Sequence, residues 1–161
     1  MPACTFPWDL ISDAMQENTL RVLNQLQNQC SRRELCSADA LAKALKALDG
    51  DAAAAQEVLD SLIRDKYVDD LRYASAFARE KAQLDGWGPI KIRHALAARG
   101  IPSATADAAL SEVDPQAASA RLDRLLAAKA RTLEGDPQAR LKLIKFALSR
   151  GYEYAQIQNL V

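Results

Sequence analysis

The sequence predicts an all-α protein: three tandem three-helix repeats joined into an elongated, curved, solenoid-like body. Three observations carry this expectation. Alanine is abundant and no run alternates Val, Ile or Thr with polar residues, so helix is favoured and strand signals are missing. Short capping signals punctuate the chain at regular places. A stretch near the end repeats a stretch in the middle at a fixed spacing of 51 residues.

The punctuation sets the elements in order. Residues 1–16 read either as a short helix or as a loose N-terminal arm. Helices are then expected over 17–29, 37–48, 52–65, 70–84, 89–99, 103–111, 115–133, 137–150 and 153–160. Asp69-Asp70 mark a helix start, where a capping oxygen and negative charge meet the positive end of the helix that follows. Asp114-Pro115 and Asp136-Pro137 each place a capping acid before a proline at the first helical position, where its missing N–H costs nothing. Gly88-Pro89 does the same more weakly. Gly100 and Gly151 each follow an arginine that closes a helical stretch, as C-terminal glycines do.

The repeat pairs "IKIRHALAARGIPSATADAAL" (Ile90–Leu110) with "LKLIKFALSRGYEYAQIQNLV" (Leu141–Val161) without a gap. Ile92 meets Leu143, Arg99-Gly100 meets Arg150-Gly151, and Ile101 meets Tyr152. One more step backwards lands on Leu41, Leu45 and Leu59, which keep the apolar character and lose the Arg-Gly. Three helical repeats follow, over 17–66, 67–112 and 113–161, each too small to bury much apolar surface alone.

Composition narrows the function. No apolar run approaches the roughly 20 residues that span a bilayer, and "MPACTFPWDL" lacks the basic and apolar regions of a secretory signal. A soluble, cytoplasmic monomer with no membrane partner is expected. Cys4, Cys30 and Cys36 are an odd, sparse set, which argues against a disulfide framework and, without further ligands, against zinc. Net charge is zero, but residues 1–70 carry 12 acids against 7 bases, whereas residues 71–100 carry 6 bases against 2 acids. A protein living by phosphate contacts alone is usually more basic overall; a local basic face fits better.

Catalysis finds little support. His94 stands in a helical stretch with no nucleophile motif near it, and Asp69 and Asp70 point about 100° apart on a helix. No phosphate-cradling loop or metal cluster is present in the sequence, so no catalytic residue, cofactor or metal is expected. The basic residues are more informative. Arg72 and Arg79 are seven apart on one helix face, while Tyr73 and Phe77, four apart, read as core. Arg121, Arg124 and Arg131 recur at spacings of three and seven beside a stripe of Leu122, Leu125, Leu126 and Leu133. Lys142 and Lys145 are three apart. Singly each is a solvated helix side; together they suggest a shared basic groove. Trp87, between two glycines, reads first as a staple of its helix entry against the previous helix, and second as an exposed interface anchor.

The ordered set of motifs resembles the RecX family, bacterial regulators of the RecA recombinase. Its carriers are Tyr67-Val68-Asp69-Asp70, Arg72-Tyr73-Ala74, Gly86-Trp87-Gly88-Pro89, Lys91-Ile92 and Gly100-Ile101. "CSRREL" (Cys30–Leu35) and "FALSRGY" (Phe146–Tyr152) flank them, and the likeness covers about residues 19–161. Lys66 stands where the family often has glycine. The resemblance implies a three-by-three helical solenoid that binds the RecA filament on single-stranded DNA, limits its growth and activity, and performs no catalysis. Arg72, Arg79, Trp87, Lys91, Arg121, Arg124 and Lys145 are the expected contacts, with Lys91 facing outward because it precedes the apolar Ile92. A helical-repeat protein that binds nucleic acid directly is the alternative, since short helices and tight turns also build helix-turn-helix units.

Overall fold

The computed structural model describes residues 7–161, and residues 1–6 of the expected N-terminal arm lie outside them. Among the described residues there are nine helices and no strand: α1 (Pro7–Cys30), α2 (Ser37–Ala47), α3 (Ala52–Arg64), α4 (Asp70–Gln83), α5 (Pro89–Ala97), α6 (Ser103–Ser111), α7 (Pro115–Arg131), α8 (Ala139–Ser149) and α9 (Tyr154–Ile157). α1 starts ten residues before the expected 17, so residues 7–16 are its first turns rather than a loose arm. No helix among the described residues is long and apolar enough to cross a membrane. The chain divides into two compact units between Asp70 and Leu71.

In the first unit α1, α2 and α3 pack on one another. Val22 and Leu26 of α1 meet Ala40 and Ala44 of α2 and Ala55, Val58, Leu59 and Leu62 of α3, closed by Leu48 and Val68. The alanines are fully buried, and their small side chains let the helix backbones approach closely. Leu62, also fully buried, contributes about 1.5–3 kcal/mol by leaving water. Asp51 caps α3 by accepting from the Ala54 N–H. α2 is capped from elsewhere. Its own N-cap residue, Cys36, makes no side-chain cap bond, and the Asp70 carboxylate accepts from the Ser37 N–H at 2.7 Å. The acid expected to start its own helix therefore also completes another.

In the second unit α5 packs on α6, α7 on α8, and α8 on α9. Leu122 and Leu126 of α7 are buried with Ala147, Tyr152 and Ile157. Asp114 caps α7 as its sequence implies, accepting from the Gln116 N–H behind Pro115. Asp136-Pro137 behaves differently: Asp136 accepts from the Gln138 N–H in a turn, and α8 begins only at Ala139.

The 51-residue spacing recurs in the hydrogen bonds. Ile101 N–H donates to the Leu96 carbonyl and Tyr152 N–H to the Ala147 carbonyl, closing α5 and α8 around left-handed Gly100 (φ 75°) and Gly151 (φ 89°). Gly50 N–H donates to the Leu45 carbonyl around Asp49, φ 51°. The first unit thus makes the same helix stop with Asp49 in place of the glycine, followed by a left-handed Gly50 (φ 86°).

Candidate functional site

α4 organises the site. Its sequence places Tyr73, Phe77 and Lys81 at four-residue steps, on one side of the helix. Tyr73 is buried and Phe77 half-buried, as their core reading requires; their rings stand 6.3 Å apart and nearly parallel. Trp87, on the turn after α4, meets Phe77 edge-on at 6.3 Å. This is the staple reading of Trp87, which is half-buried. Three cations interleave with the three rings. Arg99 lies 5.8 Å from the Tyr73 ring and 5.5 Å from Phe77, and donates to the Tyr73 hydroxyl. Lys81 lies 5.2 Å from Trp87, and Lys91 4.5 Å from the same ring. The Asp85 carboxylate, hydrogen-bonded to Lys81 at 2.6 Å, raises the Lys81 pKa.

The turn from α4 to α5 is clamped at both ends. The last carbonyls of a helix lack partners within it, and so do the first N–H groups of the next. Here Arg121 of α7 donates to the Leu84 carbonyl at 2.8 Å, and Arg150 donates to the Asp85 carbonyl at 2.9 Å. The N–H groups of Gly88 and Ile90 donate to the Arg150 and Gly151 carbonyls at 2.7 and 3.1 Å. The positive start of α5 thus faces the negative end of α8. Gly88 permits this because a Cβ there would stand 2.3 Å from the Gly151 oxygen.

Beside the clamp lies an apolar cleft of about 360 Å³, lined by Trp87, Leu110, Ser119, Leu122, Tyr152 and Leu160 among others. The Tyr152 hydroxyl is buried without a hydrogen-bond partner among the described residues, and burial pushes its pKa up.

The expected contact residues separate into two groups. Arg72, Arg79, Arg124 and Lys145 are exposed on α4, α7 and α8. Trp87, Lys91 and Arg121 are half-buried: Trp87 lines the cleft, Arg121 holds the clamp, and Lys91 lies against the Trp87 ring. Lys91, expected to face outward, is half-buried, with its ammonium 4.5 Å from the centre of the Trp87 ring. Arg121 spends its guanidinium on a backbone carbonyl. Sequence reasoning missed Lys81, Arg99 and Arg150. The repeated Arg-Gly was the available signal for the last two: Arg99 sits over Tyr73 and Phe77, and Arg150 lies 5.1 Å from the Phe146 ring.

Fold and site define an all-α protein of two compact helical units, the second carrying a cation–aromatic cluster and a clamped α4–α5 turn. A family model described as "RecX, second three-helix domain" matches residues 69–110, the segment holding α4, α5 and α6. "Regulatory protein RecX" of Pseudomonas entomophila is 30% identical over 107 residues, 66% of this chain and 68% of that protein. The protein of that name in Chromohalobacter salexigens is 33% identical over 103 residues, 63% of this chain and 66% of the relative. The Halalkalibacterium halodurans relative is 30% identical over 120 residues, and the match spans only 44% of its length. Among solved structures, "Crystal structure of regulatory protein RecX" superposes with a TM-score of 0.84 at 20% identity, over 98% of this chain and 79% of that one. "Crystal structure of RecX from Lactobacillus salivarius" gives 0.78 at 19% identity, over 90% and 95%. The chain belongs to the RecX family.

Proposed function

We propose that this chain is a non-catalytic regulator that binds the RecA–single-stranded DNA filament and inhibits filament growth and RecA's recombinase and ATPase activities. The relatives carry the name of a regulatory protein, which supports the class of activity. The observation that carries the reading is the pair Arg72 and Arg79, seven residues apart and both exposed on α4, within the segment that the family model matches. Two guanidiniums on one outer helix face suit carboxylates on a protein surface, where planar, two-pronged hydrogen bonding adds geometric specificity. Arg124 and Lys145 add exposed positive charge on α7 and α8. Inhibition is by obstruction: the helical body, acting as a monomer, lodges across adjacent RecA protomers and hinders subunit addition or strand exchange.

The test is the double reversal Arg72→Glu/Arg79→Glu. It is expected to keep the helical circular dichroism of the parent and to lose inhibition of RecA's DNA-dependent ATPase. Unchanged inhibition removes this face from the reading. Tight binding to bare single-stranded DNA with a steep salt dependence, in the absence of RecA, favours the direct nucleic-acid reading instead.

A further inference from the structure

We propose that the cleft beside Trp87 takes a large apolar side chain from a peptide segment of a protein partner, with a neighbouring carboxylate of that segment meeting Lys91. The proposal rests on the reading that this chain acts by binding protein, and it names the chemistry of the segment bound.

Three observations carry it. The cleft, about 360 Å³, has room for one large apolar side chain, and its walls include Trp87, Leu110, Leu122 and Leu160 with few polar groups. Tyr152 lines it at 5% exposure, and its hydroxyl has no partner among the described residues. A buried hydroxyl without a partner costs about 1–3 kcal/mol, so a backbone carbonyl of the bound segment that accepts from it recovers that cost. The Lys91 ammonium lies 4.5 Å from the centre of the Trp87 ring, a wall of the cleft, and has no carboxylate partner among the described residues. Lys81, beside the same ring, already holds Asp85. Residues 71–100, which supply Ala82, Trp87, Pro89 and Ile92 to the cleft, carry 6 bases against 2 acids, so the charge that complements this side of the cleft is negative. Nucleic acid fits less well. None of the residues that line the cleft is a lysine or arginine that would pair with a backbone phosphate, and Lys91 already covers a face of the Trp87 ring.

The probe is the peptide acetyl-Gly-Ser-Glu-Asp-Phe-Glu-Glu-Ser-Gly-amide. It is titrated into the full chain carrying Trp8→Phe, which leaves Trp87 as the reporting indole. A saturable change in Trp87 emission is expected. Binding should weaken at least tenfold when the peptide's Phe becomes Ala, or when its acids become amides. Ser119→Phe, an exposed position on α7 that lines the cleft, should fill the cleft and abolish the response. Tyr152→Phe separates binding from folding: it should keep or raise the urea midpoint while weakening the peptide threefold or more. A folded protein with no saturable response overturns the proposal, as does a response undiminished in both Ser119→Phe and Tyr152→Phe. A dodecamer of thymidylate that saturates the same signal and is blocked by Ser119→Phe overturns it in favour of nucleic acid. Peptide binding in a protein that never inhibits RecA sinks the filament reading and leaves the cleft standing. Inhibition of RecA by the cleft variants at full strength does the opposite.

Discussion

Gly88 and Gly151 meet backbone to backbone, with the Gly88 Cβ position 2.3 Å from the Gly151 oxygen and the Gly151 Cβ position 2.4 Å from Lys91 Cβ. Neither has room for a side chain, and Gly151 also holds φ at 89°. Gly151→Ala therefore adds left-handed backbone strain to a clash with α5. We expect a loss of about 3 kcal/mol, read as a lower urea midpoint at unchanged slope.

The left-handed positions Asp49 (φ 51°) and Lys66 (φ 64°) should respond in the opposite direction. Each closes a helix around a bond of the kind made around Gly100, and each carries a Cβ that glycine would lack. Asp49→Gly and Lys66→Gly are each expected to stabilise the chain by about 0.5–1 kcal/mol, after allowing for the greater freedom of glycine in the unfolded state. At Lys66 the left-handed φ is one that glycine adopts without a Cβ penalty. Equal or lower midpoints would mean the lysine or aspartate side chain compensates for the strain.

Asp70 caps α2 across 33 residues of sequence. Removing the acceptor with Asp70→Ala should cost about 1 kcal/mol, as for other helix caps. Asp70→Asn keeps an oxygen in place and should cost less. Hydrogen exchange at the start of α2 is the local readout: the Ser37 amide should lose protection in the alanine variant first.

Arg121 and Arg79 should part company. Arg121 donates to the Leu84 carbonyl and its Nε is buried without a partner, whereas Arg79 is exposed. Arg121→Met should cost about 1–2 kcal/mol of stability, and Arg79→Met less than about 0.5 kcal/mol. If both leave stability unchanged, Arg121 is not part of the clamp.

Asp136 gives an acid-side prediction. Its hydrogen bond from Lys142, and then that from the Gln138 N–H, hold its carboxyl below the usual value. A carboxyl whose pKa is lower folded than unfolded stabilises the fold above its unfolded value, and that contribution fades as pH falls through the lowered one. Urea midpoints of the parent and Asp136→Asn should therefore differ at neutral pH and converge in acid, below the ordinary carboxylate range. A gap that persists there would place the effect in something other than this charge.

Local chemistry determined much of this protein. Helix propensity and the scarcity of strand patterns set the class, and Asp114-Pro115, Gly100 and Gly151 marked boundaries because caps act over three or four residues. The 51-residue likeness was legible for the same reason: helix stops at Leu45–Gly50, Leu96–Ile101 and Ala147–Tyr152 use bonds five residues long. What acts across long separations was not legible. Nothing near Asp70 says that its carboxylate serves Ser37, and nothing near Arg150 says that it reaches Asp85, 65 residues away. Nor could spacing along one helix tell exposed Arg79 and Arg124 from Arg121 and Lys91. Which of four similar cations meets solvent depends on the carbonyl or ring that another element brings alongside, and only the tertiary structure supplies that neighbour.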